Sequence, residues 1–274
     1  MSEARWPRTS LLLTRGSGVA IGVTALLVVG QLATVSASAA PAAAAPVGAT
    51  FVDLGSAASY SVLGGTSVAN TGAGTVLAGD LGLSPEGTIT GFPPGTFGGT
   101  MHDKDAAAEA AQADRAEAYA DAAGQVSTAP FAGDQGGMTF KPGVHTSAAA
   151  FTNTGTMTLD ADGDSSAVFV FQIGAALSSA AGSKVVLADG ALANNVFWQV
   201  KGAVSLGAGA KFVGTILGDG AIAFGEGAAI KGRLLTPTSV ALTNSPVTEP
   251  IDDFAAPIIT IDGGATRSTN DTSP

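Results

Sequence analysis

Between residues 203 and 238 the large apolar positions keep a two-part rhythm. Val204 and Leu206 alternate, then Phe212, Gly214 and Ile216; the pattern returns as Ile222 and Phe224, then Ile230, Gly232 and Leu234. Each member of the second set follows its counterpart at a constant 18-residue interval, and Val240 and Leu242 open a third copy at the same interval. Alternation is the period of a strand, and the glycine-rich breaks between sets mark corners. Self-similarity at a fixed interval is the mark of a solenoid. Each copy therefore predicts one coil of short strands. Val204, Leu206, Ile222, Phe224, Val240 and Leu242 are expected to point inward and to stack coil on coil. The outward ladders are then Ser205–Ala223–Ala241, Lys211–Ala229 and Thr215–Arg233, with rungs about 4.8 Å apart. These ladders are mostly small, which suits a repetitive partner better than a pocketed ligand.

The same texture extends both ways. From Phe51 to Phe92 short apolar pieces alternate with Gly and Asn, and from Gly136 to about Pro246 strands return, the most apolar being AVFVFQIG (167–174) and NNVFWQVKG (194–202). Phe171-Gln172 and Trp198-Gln199 are separated by a 27-residue interval, one and a half times the 18-residue repeat, so the coiling there is irregular or carries an inserted loop. Between the two β-regions the pattern changes. Residues 102–125 hold Ala, Glu, Gln, Asp and Arg with no Gly before Gly124. The segment predicts one helix over 103–123, capped by Asp103 or Asp105 and ended by Gly124. Its apolar side is nearly all alanine, which buries little area but allows close approach, so it needs a flat partner such as the solenoid side. Residues 248–274 are polar and broken by proline, with one strand-like piece, PIITID, and nothing to pair with it.

Composition sharpens this picture. With 38 Gly in 274 residues and 12% charged residues, the chain suits tight turns around a packed core. The absence of cysteine removes disulfides, thiolate metal sites and cysteine nucleophiles together. Near the start, Arg5, Arg8 and Arg15 precede an apolar run, Val19–Val29, and a small-residue stretch with cleavage options after Ala39 or Ala40. Residues 1–40 are therefore expected to be a signal peptide and 41–50 an Ala/Pro linker, which predicts a secreted or cell-surface protein. A membrane contact would come only through that segment if it stayed attached. Residues 1–40 carry three Arg and one Glu, a net +2, so a total of −10 leaves −12 on the remainder. Such acidity argues against nucleic acid as a partner.

GDLGLSP (79–85), VFVFQIG (168–174), NNVFWQV (194–200) and FVGTILG (212–218), in that order and with an Ala-rich helix after the first strand set, resemble the bacterial and fungal ice-binding-protein family, the domain of unknown function 3494 group. The resemblance covers roughly Phe51 to Val247. It implies a discontinuous right-handed β-solenoid of triangular section, with one long helix alongside, no cofactor, and adsorption to ice or inhibition of ice growth. The tail APIITIDGGATRSTNDTSP resembles the opening strand of a bacterial immunoglobulin-like repeat of the kind found in surface adhesins. A simple tail is the other reading of 248–274.

Candidate chemistry is thin. Asp160, Asp162 and Asp164 stand at alternate positions, but a calcium loop needs a glycine sixth and a glutamate twelfth, where Ser165 and Phe171 stand, so a solvated turn is expected. His102 and His145 have no partners that sequence specifies, and no Ser/His/Asp set or phosphate loop is present, so the protein reads as non-enzymatic, with no small-molecule substrate. Lys184 and Lys211 follow small residues and Lys231 follows Ile230; all three are expected at solvated corners. The resemblance implies an ice face built from Thr-(Ala/Gly)-x-(Thr/Asn) on successive coils. Here the corresponding segments are Ser179-Ala180-Ala181-Gly182, Ala208-Gly209-Ala210-Lys211 and Glu226-Gly227-Ala228-Ala229. The candidate face positions are thus Ser179, Gly182, Ala208, Lys211, Glu226 and Ala229. The small second residues are kept while the threonines are replaced, and charge at Lys211 and Glu226 would disturb an ordered water layer. Activity is therefore expected to be weak, and to rise when Ala208, Lys211, Glu226 and Ala229 become threonine. The rival reading is an adhesin or extracellular matrix spacer that binds another repetitive surface.

Overall fold

A computed structural model describes residues 48–250, so the expected signal peptide and the tail beyond Pro250 lie outside the described residues. The chain is mostly β with one long helix, and its strands pair in parallel in a 15-stranded and a 7-stranded sheet. A full coil uses three strands. Val196–Val200 lies on a side we term the covered face, Val204–Leu206 on the seven-strand face, and the start of Lys211–Gly218 on the flanking face. The long strands Lys211–Gly218 and Ala229–Leu235 then turn the corner back to the covered face at Gly214 and Gly232, which joins two rows into one sheet.

The 18-residue register holds where it is strict. Val204 pairs with Ile222, Leu206 with Phe224, Phe212 with Ile230, Ile216 with Leu234 and Ile222 with Val240. Val204, Leu206, Ile222, Phe224, Val240 and Leu242 are all buried. The 27-residue interval is a different matter: Phe171 sits directly on Trp198, so it is one long coil rather than one and a half short ones. The extra residues form the corner that contains the 3₁₀ turn Ala193–Asn195. These longer coils enclose the larger side chains. Phe171 and Trp198 stack with centroids 4.1 Å apart at 12°, and the Trp198 indole N–H donates to the Val213 carbonyl at 2.8 Å. The 18-residue coils put Ile216 and Leu234 in the same row.

The stack is not in chain order. Val62 and Leu63 pair with Leu234 and Leu235, so the coils before the helix sit on the C-terminal end of the coils after it. From there Tyr60–Gly64 pairs with Asp80–Leu83, and that strand with Met101–Asp103 at one end of the stack. At the other end is Ala129–Pro130, paired with Gly143–Ser147. The chain must run the length of the stack between residues 103 and 129, and the helix does this. Helix α1 spans Ala106–Gly124, a few residues later at its start than the expected 103–123, because Asp105 is the N-cap and accepts from the Ala108 N–H. Nineteen helical residues reach about 28 Å, and the short segments at each end complete the traverse.

One side of the helix is buried: Ala108, Ala111, Arg115, Ala118 and Ala122. It packs on the outer surface of the covered face, where Val144, Val170, Phe197, Leu217, Leu235 and Leu63 form a second apolar cluster. Polar side chains brace this seam, although among the described residues the buried Thr215 hydroxyl has no hydrogen-bond partner. Gln172 donates to the Ala122 and Gln125 carbonyls, both at 2.8 Å, which satisfies the free end of the helix. Gln112 donates to the carbonyls of Gly64 and Thr236 and accepts from Arg115. Thr215 and Arg233 do pair as a ladder, but they lie on the covered face. Thr215 is fully buried, and the Arg233 Nε donates to the Ala58 carbonyl at 2.7 Å. The expectation that this ladder meets solvent is corrected, because the helix and the segment before Tyr60 lie over that row.

Candidate functional site

The seven-strand face is the most regular outer surface. Its outward positions run Thr152, Ser178, Ser205, Ala223, Ala241, Ala69 and Thr90, each in register with the next. The central five hold nothing larger than serine. The inward neighbours on both sides, such as Leu177, Val204, Leu206, Ile222, Phe224 and Val240, are buried, so backbone and side chains hold each outward group at a fixed height. Ser239, Ser67 and Thr88 make a parallel ladder along one margin, and Thr243 and Thr71 a short one along the other. None of the seven strands contains a charged residue. Hydroxyls and methyls therefore repeat on a rigid lattice with rungs about 4.8 Å apart.

The six sequence-derived positions are not coplanar. Ser179 is 2% exposed and shares a hydrogen bond of 2.6 Å with Ser183 inside the coil. Leu177 and Ser179 both fall on the inward phase of the alternation, so the outward role expected for Ser179 is corrected. Gly182, Ala208 and Glu226 sit in the turns between the seven-strand and flanking faces. There the Gly182 N–H donates to the Ala208 carbonyl at 2.9 Å, and the Gly209 N–H to the Glu226 carbonyl at 2.9 Å. Lys211 and Ala229 pair in register, but on the flanking face. Two of the positions therefore lie across a corner from the three turn residues.

The flanking face is mixed. Thr139, Thr158 and Val186 follow one another in register along it, and Val213, Lys231 and Thr248 continue the row. Beside them run Thr156, Lys184, Lys211 and Ala229. All three lysines lie in strands rather than at corners, so that expectation is corrected too. Lys184 and Lys211 are related by the 27-residue interval, which the 18-residue repeat hides.

The remaining candidates are structural. Lys141 pairs with Asp160 at 2.9 Å and with Asp162, and the Asp164 carboxylate accepts from Ser166, so DADGDSS is a corner turn tied to its neighbouring loop. Among the described residues no group of three or more His, Asp or Glu side chains converges where a metal could be held. His102 bonds to the helix-capping Asp105 at 2.8 Å. His145 is buried at the far end of the stack, where it lies against Phe171 and donates from Nε2 to the Lys141 carbonyl at 2.8 Å. Burial holds its pKa below the usual imidazole value.

These features define a class: a cysteine-free stack of parallel coils, braced by one helix, that offers flat repetitive faces. The chain belongs to the family described as ice-binding-like, whose model matches residues 62–248. It is similar to an ice-binding protein of Nostoc sp. (strain HG1), 42% identical over 165 residues that cover 60% of this chain and 61% of that protein. An ice-binding protein of Flavobacterium frigoris is 33% identical over 221 residues, 73% of this chain and 76% of that one. Among solved structures, an ice-binding protein from an Antarctic biological consortium superposes with a TM-score of 0.73 at 42% identity, covering 75% of this chain and 94% of that one. The ice-binding protein of Antarctomyces psychrotrophicus gives 0.72 at 38%, covering 74% of this chain and all of that one.

Proposed function

We propose that this protein adsorbs to ice and slows its growth through the seven-strand face. The observation that carries the reading is the uncharged Thr/Ser/Ala ladder in register on seven strands, in a chain of this family. Stiff outward hydroxyls and methyls can hold water in an ordered array that merges with a crystal plane, and charge would break that array. Threonine carries both groups on one stiff rotamer. Here it stands only at the ends of the central ladder, Thr152 and Thr90, so the activity is weak. The fold is taken as a right-handed solenoid of triangular section, supported by the three strands per coil and by the related structures. The protein is taken as secreted or cell-surface and non-enzymatic, with residues 1–40 as its signal peptide.

Ice-affinity partitioning and thermal hysteresis test this. Ala223→Lys, an exposed change, should abolish partitioning, and Ala69→Thr/Ala223→Thr/Ala241→Thr should raise hysteresis. Unchanged behaviour in both would remove the seven-strand face from the reading. The second reading places activity on the flanking face, favoured by its Thr139–Thr158–Val186 row and by the nearby turn positions. In that case Ala208→Thr/Lys211→Thr/Glu226→Thr/Ala229→Thr would raise hysteresis while Ala223→Lys would not affect it.

A further inference from the structure

Lys184 and Lys211 occupy facing rungs of adjacent coils, and Lys231 lies one coil further along, in register with Val213. All three are exposed, and among the described residues none of them makes an ion pair. Like charges on directly opposed rungs work against a sheet, so the fold gives no reason for placing them together. The molecule as a whole is acidic, at −10, which makes a compact cationic patch more unusual still. Around the lysines the surface is shaped. A shallow groove of about 250 Å³ runs between Lys211 and Lys231, with Val213, Ala229 and Thr248 along it. Val186, in register with Thr158, lies two residues beyond Lys184, and Thr156 pairs with Lys184 itself.

We propose that this patch is a binding site for a carboxylated polysaccharide. A polyuronate offers one carboxylate per ring along an extended chain, so it can meet ammonium groups set on successive rungs about 4.8 Å apart. Lysine suits this role, being a mobile point charge that needs no bidentate geometry. The apolar faces of the sugar rings can lie on Val186 and Val213, and their hydroxyls can bond to Thr156, Thr158 and Thr248. Duplex DNA fits less well. Its charge density of one phosphate per about 1.7 Å meets only three cations on a strongly acidic body. The site does not rest on the ice reading, since it uses a different face.

The test is retention of the full chain on immobilised polygalacturonate, with neutral dextran as the control polymer and a salt titration. Wild type should be retained at low salt on the acidic polymer alone. It should be released as ionic strength rises and the screening length shrinks to about 10 Å near 0.1 M. Lys184→Gln/Lys211→Gln/Lys231→Gln should bind at least about tenfold more weakly, as expected for the loss of three exposed charge contacts. The triple Lys→Arg variant should keep most of the binding, and Lys104→Gln/Lys201→Gln should behave as wild type. Thermal melts show whether each variant is folded. Equal retention of wild type and the folded Gln triple would overturn the proposal, as would no retention of wild type. Tighter binding to duplex DNA or to phosphatidylserine vesicles than to polygalacturonate would also overturn it.

Discussion

At the scale of single residues, glycines at corners are held in place by opposite constraints. A Cβ on Gly232 would lie 1.9 Å from the Gly214 carbonyl oxygen of the coil beside it, a backbone atom that cannot rotate away. Gly232→Ala is therefore expected to cost at least the roughly 3 kcal/mol that marks the upper end of ordinary substitutions, read as a fall in the urea midpoint. Gly182 has open space around it, and only its φ of +70° restricts it. Asn244 adopts φ 47° in the comparable turn of a later coil. Gly182→Asn should therefore cost no more than about 1 kcal/mol, and Gly182→Val about 1–2 kcal/mol. His145 gives a pH signature. Its folded pKa is depressed by burial, so the unfolded chain takes up the proton first as pH falls. Stability should be level above about pH 6.5, the unfolded value, and decline below it towards the folded pKa. In His145→Gln that part of the decline should be absent from thermal melts between pH 7 and 5. Sequence showed that Gly232 and Gly214 share a place in the repeat. It could not show that His145 would close one end of a stack, since nothing near it in the chain names the distant Phe171 as its neighbour.

At the scale of elements, the helix shows how little local propensity needs to explain. Its buried side is four alanines and Arg115, with a surface that contributes small area but fits closely against Val170, Phe197 and Leu217. Ala118→Leu forces a larger side chain into that seam and should destabilise by about 1–3 kcal/mol. Ala113→Leu, at an exposed position, should be close to neutral, and paired thermal melts compare the two. Helix type, length and alanine side were all legible, because a long glycine-free run with strong helix formers has few other readings. The strands were legible where coils keep the 18-residue interval. They were not where coils lengthen, as in Val144 on Val170 and Phe171 on Trp198. A corner of any length returns the chain to the same sheet, so periodicity alone does not constrain the pairing. The lysine row was lost for that reason. So was the phase of Ser179, because alternation must be counted from a strand start that only the pairing defines.

At the scale of the whole molecule, the two uncovered faces carry different chemistry on one rigid body. Substitutions at separated sites without shared partners add independently. The Lys184/Lys211/Lys231→Gln triple is therefore expected to leave ice partitioning unchanged, and Ala223→Lys to leave retention on polygalacturonate unchanged. Both assays on both folded variants check this, and crossed effects would mean that a single face serves both surfaces. The amino-acid order was enough to specify the parallel coils, the stacked core from Val204 to Leu242, the ladder Ser205–Ala223–Ala241 and the long alanine helix. Each of these follows from spacing within a short stretch, where strand and helix periods act directly. Three-dimensional closure settled what no local spacing encodes. The strand Tyr60–Gly64 docks on Ala229–Leu235, far away along the chain, because both leave open sheet edges of matching register that must be paired. That docking obliges the helix to cross the full stack. The crossing buries one face, and with it Thr215 and much of Arg233. It leaves the uncharged seven-strand row and the lysine-bearing row as the surfaces that meet the outside.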